Sequence, residues 1–371
     1  MPSVDELALR FRQFSGTTSS RAPLYSRLSR SIADDRHLVE LLTVAPEQQQ
    51  LPVLLFAAVH HVLLANPDDE LALHYPNFAG TAHDDFAGTA HDHFAGTAHD
   101  ADPFGAFTRF VAAHADEVRS LVATRSTQTN EVGRCAQFLV PMALLHAERG
   151  QLAMLDVGTS AGLNLLLPHF AYGYEPGGDV GGPSTVHLHC STRGGPPIPV
   201  AMPLLAASIG LDREPVDVHD DESVRWLEAC VWPDQADRFA RLVAAIALAR
   251  EVGVDVRTGD AITDLAALVH EAATHGHPVV TNSWVLSYFT TEQRVRYVDA
   301  LDALGREADL SWIIAESPAQ TPGLPVPASA DEQSTVLTLV RWRHSRRTVQ
   351  RLATTHPHGF WLHWEGSAVL G

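Results

Sequence analysis

The alternation that sets in after Gly150 constrains this chain more than any other feature. Short apolar runs of strand length take turns there with amphipathic segments of helical length. That is the pattern of a mostly parallel sheet covered by helices on both faces. Strands are expected at 153–157, 215–218, 255–257, 278–281 and 310–315, with helices near 162–167, 236–251, 262–274 and 291–307. The expected fold class is therefore α/β, with one doubly wound domain over 151–371. Two more strands, 335–342 and 359–364, follow a Pro-rich break at 318–327 and are expected as an antiparallel pair at the sheet edge. Between the first two strands, 172–212 is rich in Gly and Pro and longer than a right-handed crossover needs. It reads as an insertion: a lid, a hairpin or an interface.

Ahead of Gly150 the periodicity is helical, at 24–42, 51–64, 104–124 and 131–149, with almost no strand signal. An all-helical cap over 1–150 is expected. An octad, FAGTAHDD, FAGTAHDH, FAGTAHD, interrupts it at 78–100, returning at Phe78, Phe86 and Phe94. Solenoids need periods of about 20 residues or more, so this one marks a duplicated loop. His60 and His61 lie in an apolar helical run and read as hydrogen-bonded structural histidines.

Composition removes whole function classes. Basic residues number 26 against 44 acidic ones, a formal charge of −18, which argues against nucleic acid as a partner. Every basic residue is arginine. Without lysine there is no Schiff base to pyridoxal phosphate, no lysine nucleophile and no phosphate-loop lysine. Cys135, Cys190 and Cys230 are too few and too scattered for a disulfide framework or a metal knuckle. No run of about 18 uncharged apolar residues occurs, and the N-terminus lacks a signal pattern. The expectation is a cytoplasmic protein without a membrane partner, its oligomeric state left open.

The most informative stretch is LAMLDVGTSAGLNLLL, 152–167: a strand ending in Asp156, a tight turn on Gly158 and Gly162, then the expected helix. Glycine allows positive φ and close approach of a ligand, and a helix N-terminus presents N–H groups to a negative group. Here the chain resembles the class I S-adenosylmethionine-dependent methyltransferases through D-x-G-x-S-x-G, with Ser160 where many members have glycine. The resemblance implies a Rossmann-like domain binding S-adenosylmethionine, lined by Asp156, Gly158, Ser160, Gly162 and Asn164. VRTGDA, 256–261, is similar to the family's third-strand motif, implying that Asp260, next to Ala261, meets the adenine amino group. EPVDVHD, 214–220, offers Asp217 or Asp220 to the ribose hydroxyls.

A second resemblance runs from about Pro23 to the C-terminus. It is to an uncharacterised bacterial family with a helical N-terminal region, a QTNE-x-x-R segment (Gln128 to Glu131 with Arg134), SAGLNL (160–165), VWPD (231–234) and HPHG (356–359). Members often carry a histidine near the end of the fourth strand, where this chain has Asn282.

Methyl transfer from a sulfonium is an in-line displacement governed by positioning, which supplies about 7 to 11 kcal/mol. A proton transfer adds roughly 3 to 5 kcal/mol. Arg134 and Asn130 are expected at the cofactor's amino-acid end, with Glu131 and Gln128 close by; the alternative is a local Glu131–Arg134 ion pair on one helical face. On the substrate side, NSWVLSYF, 282–289, follows the fourth strand. Asn282 and Ser283 are expected to orient polar atoms of a small-molecule acceptor, Asn282 also bordering the cofactor, and Trp284 and Tyr288 to wall the sulfonium or an aromatic substrate, unless the two aromatics are core residues four apart on a helix. The catalytic candidates are Asn282, Tyr288 and Glu131.

Three other functions compete. The same turn satisfies G-x-S-x-G, the nucleophile elbow of α/β-hydrolases, with Ser160, Glu316 and His358 as the triad. His187 and His189 with Cys190, or the octad's His83, His91 and His99, suggest a metal, although a closed site needs three or four converging ligands, and none is assigned. Finally, such a domain can bind a nucleoside without turnover.

Overall fold

The structure, a computed structural model, describes residues 2–78, 102–320 and 334–370. The octad loop, with His83, His91 and His99, and most of the Pro-rich break lie outside the described residues. The chain forms two compact units, Met1–Thr129 with His219–Val243, and Asn130–Val218 with Ala244–Gly371.

The first unit is helical. Ser3 and Glu6 close a capping box on helix Val4–Thr18, and proline opens helices Pro23–Ile32, Pro52–Ala65 and Pro103–Ala113 at the first turn, where its missing N–H costs no hydrogen bond. Helix Pro52–Ala65 is apolar nearly all round and buried from Leu54 to Leu63, as a central helix must be. Phe56 on it stacks on Tyr25 at 4.2 Å and meets Phe11 and Phe107 edge-on. His60 is sealed in this core, Nδ1 facing the Ala229 carbonyl and Nε2 the Asn77 amide, each at 3.1 Å. Burial lowers its pKa to about 4, so the ring is neutral. His61 Nε2 meets Glu222 Oε1 at 2.9 Å.

The second unit is α/β, built on a large mixed, mostly parallel sheet. Its strands are β1 Leu152–Val157, β2 Ala171–Glu175, β3 Gly178–Val180, β4 His187–Arg193, β5 Leu205–Asp212, β6 Asp255–Thr258, β7 His277–Ser283, β8 Leu310–Glu316, β9 Thr335–Arg343, β10 Arg346–Thr355 and β11 Trp361–Leu370. They lie in the order β3-β2-β4-β11-β10-β9-β8-β7-β1-β5-β6. β6, β5, β1, β7 and β8 run parallel; β9, β10 and β11 follow as an antiparallel meander. Helices Leu265–Ala273 and Thr291–Glu307 bury Leu265, Leu268, Tyr297 and Leu301 against Leu155 of β1, Val280 of β7 and Trp312 of β8. A capping box of Thr290 and Gln293 starts the second of these helices.

Three expectations are corrected or narrowed here. The second parallel strand is β5, Leu205–Asp212, whereas 215–218 is loop. β5 reads LAASIGLD, with small residues of little β propensity; at Gly210 the reason is Thr159, whose Cγ2 would lie 2.6 Å from a Cβ there. Of the three readings of 172–212 the hairpin holds, β2 pairing antiparallel with β3; the region also supplies β4 and β5, and β4 pairs with β2 and β11, so most of it is part of the sheet. The two expected C-terminal strands are not a pair: β10 lies between β9 and β11, and all three lie inside the sheet, not at its edge. β10 escapes the sequence pattern because its turn, His344-Ser345, takes left-handed backbone at φ 49° and 63° without the Asn-Gly that announces such a hairpin.

Candidate functional site

Counting outward from β1, the chain goes one way to β5 and β6 and the other way to β7 and β8. At such a switch point the loops leaving adjacent strands diverge and open a crevice at the carboxyl ends. The residues at those ends define the candidate site.

β1 turns at once on leaving the sheet. Gly158 (φ +75°) and Gly162 (φ +73°) occupy left-handed backbone; a Cβ on the first would lie 2.3 Å from Val285 Cγ2, and one on the second 2.5 Å from Val256 Cγ2. Conformation and space each demand glycine. Ser160 is left-handed too, at φ +54°, and its N–H donates to Asp212 Oδ2 at 2.8 Å. Asp212 Oδ1 accepts from the Glu214 N–H at 3.0 Å. Asp212 ends β5, so it takes the place in the fold expected of Asp217 or Asp220. Asp217 is exposed in the following loop, and Asp220 caps helix Asp221–Ala229 in the first unit.

Beyond Gly162 comes a 3-10 segment, Leu163–His169, containing Pro168, instead of the expected α-helix. A run of that kind has poorly aligned peptide dipoles and offers no substantial positive end. Asn130 Oδ1 accepts the Leu163 N–H at 3.1 Å, and the Cys135 thiol donates to Asn164 Oδ1 at 3.5 Å, so both asparagines hold the turn itself. Asp156 is buried and accepts the Thr281 hydroxyl at 2.7 Å. Burial pushes its carboxyl up to about 6 against that hydrogen bond.

At the exits of β7 and β8, Glu316 anchors a sharply bent loop. It is fully buried; Oε1 accepts from Asn282 Nδ2 at 2.7 Å, Val285 N at 2.8 Å and Leu286 N at 3.2 Å, while Oε2 is buried with no hydrogen-bond partner among the described residues. Desolvation raises the Glu316 carboxyl to about 7. The bend passes through Trp284 at φ +58°, whose indole N–H donates to the Thr335 hydroxyl at 2.8 Å. Ser283 Oγ is likewise buried without a partner among the described residues. Asn282, expected to orient an acceptor, is fully buried and engages Glu316 through its amide nitrogen and the Trp312 indole through its oxygen. Tyr288 ends a 3-10 turn, Leu286–Tyr288, and is 69% exposed, so it and Trp284 do not share an α-helical face.

At the exit of β6, Asp260 is partly exposed, with Ala261 beside it. Its Oδ1 accepts from the Ile262 and Thr263 amides at 2.9 and 3.2 Å, and Oδ2 meets Arg213 Nη2 at 3.0 Å. Those amides, with the guanidinium, hold its pKa below the ordinary value.

The segment 130–137 joins these ends to the loop 356–359. Arg134 is buried; Nε donates to the Pro357 carbonyl at 2.9 Å and Nη1 to the Ser283 carbonyl at 3.1 Å. Gln137 Nε2 donates to the His356 carbonyl at 2.6 Å. Backbones touch as well: a Cβ on Gly359 would lie 1.9 Å from the Gly133 carbonyl oxygen. Glu131 is not on a helical face with Arg134; it caps the 3-10 turn Val132–Arg134, Oε1 accepting the Gly133 N–H at 3.0 Å and Oε2 lying 3.4 Å from His358 Nδ1. The acid facing His358 is thus Glu131, and the hydrogen bonds to Glu316 come from Asn282 and the β7 loop, which is not the hydrolase arrangement.

Sequence reasoning missed Asp212, Thr281 and the Glu131–His358 pair. The first carried a readable signal, an acid two residues after Gly210, had β5 been recognised; the pair carried none, since its members come from opposite ends of the unit. His187 and His189 face one another at 3.3 Å on β4, and among the described residues no group of three or more His, Cys, Asp or Glu is placed to hold a metal ion. Among them, too, no helix is long and apolar enough to cross a membrane.

No curated protein matches the chain. A family described as an uncharacterized protein conserved in bacteria (DUF2332) matches residues 8–364, which takes in both units and every residue of the candidate site. The chain belongs to that bacterial family.

Proposed function

We propose that the second unit binds S-adenosylmethionine in the crevice at the β1/β7 switch point and transfers its methyl group to a small-molecule acceptor. One observation carries the reading: aspartates stand at or just beyond the carboxyl ends of three adjacent parallel strands, Asp156 on β1, Asp212 on β5 and Asp260 after β6, around a turn that excludes side chains at Gly158 and Gly162. The donor set suits the group. A carboxylate has about four lone-pair sites, so Asp212 retains acceptor capacity for ribose hydroxyls beside the two amides it already binds. Asp260 would accept from the adenine amine. Ser283 Oγ and Glu316 Oε2 at the ends of β7 and β8, buried and without a hydrogen-bond partner among the described residues, would supply further polar atoms.

When bound, the cofactor supplies an electrophilic methyl carbon on a cationic sulfur. The protein's part is positioning: Glu316 and Arg134 lock the β7 exit loop from two sides, and the glycine turn lets backbone approach the ligand. Calorimetric titration with S-adenosylmethionine and S-adenosylhomocysteine tests the reading. Binding of both is expected. Asp212→Asn or Asp260→Ala should weaken each about 10- to 100-fold, the range of a lost hydrogen bond to a charged group. Failure of either nucleoside to bind the folded wild-type protein would overturn the proposal.

A further inference from the structure

β4 sends alternate side chains to opposite faces, so His187 and His189 stand together on its exposed face while Leu188 and Cys190 are buried on the other. Cys190 therefore does not belong with the two imidazoles, and burial pushes its thiol up to about 12. His187 Nδ1 and His189 Nε2 are 3.3 Å apart, and the ring centroids 5.1 Å apart. Two imidazoles on one tetrahedral zinc ion, each nitrogen about 2.0 to 2.1 Å from it, have those nitrogens about 3.3 to 3.4 Å and their centroids about 5.2 Å apart. Rings pointing straight at one another across the same 3.3 Å would have centroids about 5.6 Å apart. Both observed distances thus fit nitrogens that converge on a common point beside the strand, where a metal ion can replace the shared proton. The other nitrogen of His189 has a carboxylate on its side. His189 Nδ1 on β4 and Asp179 Oδ1 on β3 border the space over Gly173 of β2, 3.1 and 3.4 Å from where a Cβ would lie. An acceptor there favours the tautomer protonated at Nδ1, which leaves the lone pair on Nε2.

We propose that His187 and His189 form an open site for one divalent transition-metal ion of the zinc and copper kind, held by His187 Nδ1 and His189 Nε2 with water in its remaining positions. Imidazole suits zinc, copper and nickel, whereas magnesium and calcium take oxygen ligands. With two protein ligands on an exposed strand face the ion is exchangeable, unlike one in a closed site of three or four ligands. The inference does not depend on the methyl-transfer reading, since β11, β10 and β9 separate β4 from the strands whose ends form the crevice.

The test uses the full chain, untagged and stripped with a chelator, with ¹³C-labelled histidine and the two rings assigned by His187→Asn and His189→Asn. Both side chains are exposed, so neither substitution opens the core. Zinc ion added to one equivalent should move the Cε1–H resonances of His187 and His189 together. Its affinity for that site, read by calorimetry, should fall at least about tenfold in either variant, as loss of one of two ligands requires. Copper(II) should bind more tightly than zinc, and magnesium should move neither resonance. Zinc that moves one of the two resonances or neither, an affinity unchanged in both variants, or equal shifts with magnesium, which would mark mere attraction to an acidic chain, each overturn the proposal. Whether two resonances move together is read in wild-type protein and stands if a variant does not fold.

Discussion

Replacing Glu316 by glutamine tests the physical account of the β7 exit most directly. The carboxyl is fully buried, and desolvation raises its pKa from an ordinary 4.5 to about 7 although three donors converge on Oε1. A raised carboxyl pKa means the folded state holds its proton where the unfolded chain has lost it. Stability is therefore fully present below the unfolded pKa, is lost as pH rises toward the folded one, and is flat above it. At about 1.36 kcal/mol per pH unit, the wild-type protein should lose about 2.5 kcal/mol between pH 5 and pH 8 through this one group. Glutamine accepts the same three hydrogen bonds through its oxygen and does not titrate. The difference in unfolding free energy, Glu316→Gln minus wild type, should accordingly move by about 2.5 kcal/mol in the variant's favour from pH 5 to pH 8, whatever other groups do, since they cancel. Urea unfolding at the two pH values measures it, as a relative midpoint shift on the order of 1 M. Hydrogen exchange at Val285 and Leu286, whose amides donate to Oε1, reads the same change locally. A difference independent of pH, or one moving against the variant, would refute the claim that burial outweighs the three donors.

Gly158→Ala should cost about 1 to 2 kcal/mol for left-handed backbone plus a further packing loss, because its Cβ would meet Val285 Cγ2 at 2.3 Å. Adding Val285→Ala should relieve only the packing share, so a double-mutant cycle in urea that finds the two losses additive would count against the contact. His60 carries the opposite pH sign to Glu316: its folded pKa of about 4 lies below the ordinary 6.5, so stability present above 6.5 is lost as pH falls toward 4, by up to about 3 kcal/mol. His60→Gln should remove that acid loss; equal acid sensitivity of variant and wild type would show that His60 is not buried neutral.

What could be read locally was read well. β1, β6, β7 and β8 declare themselves as apolar runs, and helix Thr291–Glu307 by its capping box and period. Gly158 and Gly162 are conspicuous because a tight turn allows little else. β5 is illegible: its Ala, Ser and Gly carry little β propensity, and Gly210 answers to Thr159 packed against it, a contact no propensity reports. The acid at the end of the second parallel strand was displaced in consequence, from Asp212 to Asp217 or Asp220. Likewise the α-helix expected after Gly162 is a 3-10 run, a difference of one hydrogen-bond register that a 3.6-residue period over so few residues does not resolve.

By itself, then, the amino-acid sequence determined the α/β class of the second unit, its glycine turn and the helical character of the first, because each follows from periodicity and backbone sterics within a few residues. Only the tertiary structure decided that β4 pairs with β11, that Asn282 hydrogen-bonds Glu316 and Trp312, and that Glu131 meets His358. Periodicity states which face of an element is buried. It does not state against what, and the partners of a buried polar group are settled by packing between segments that are distant in the chain.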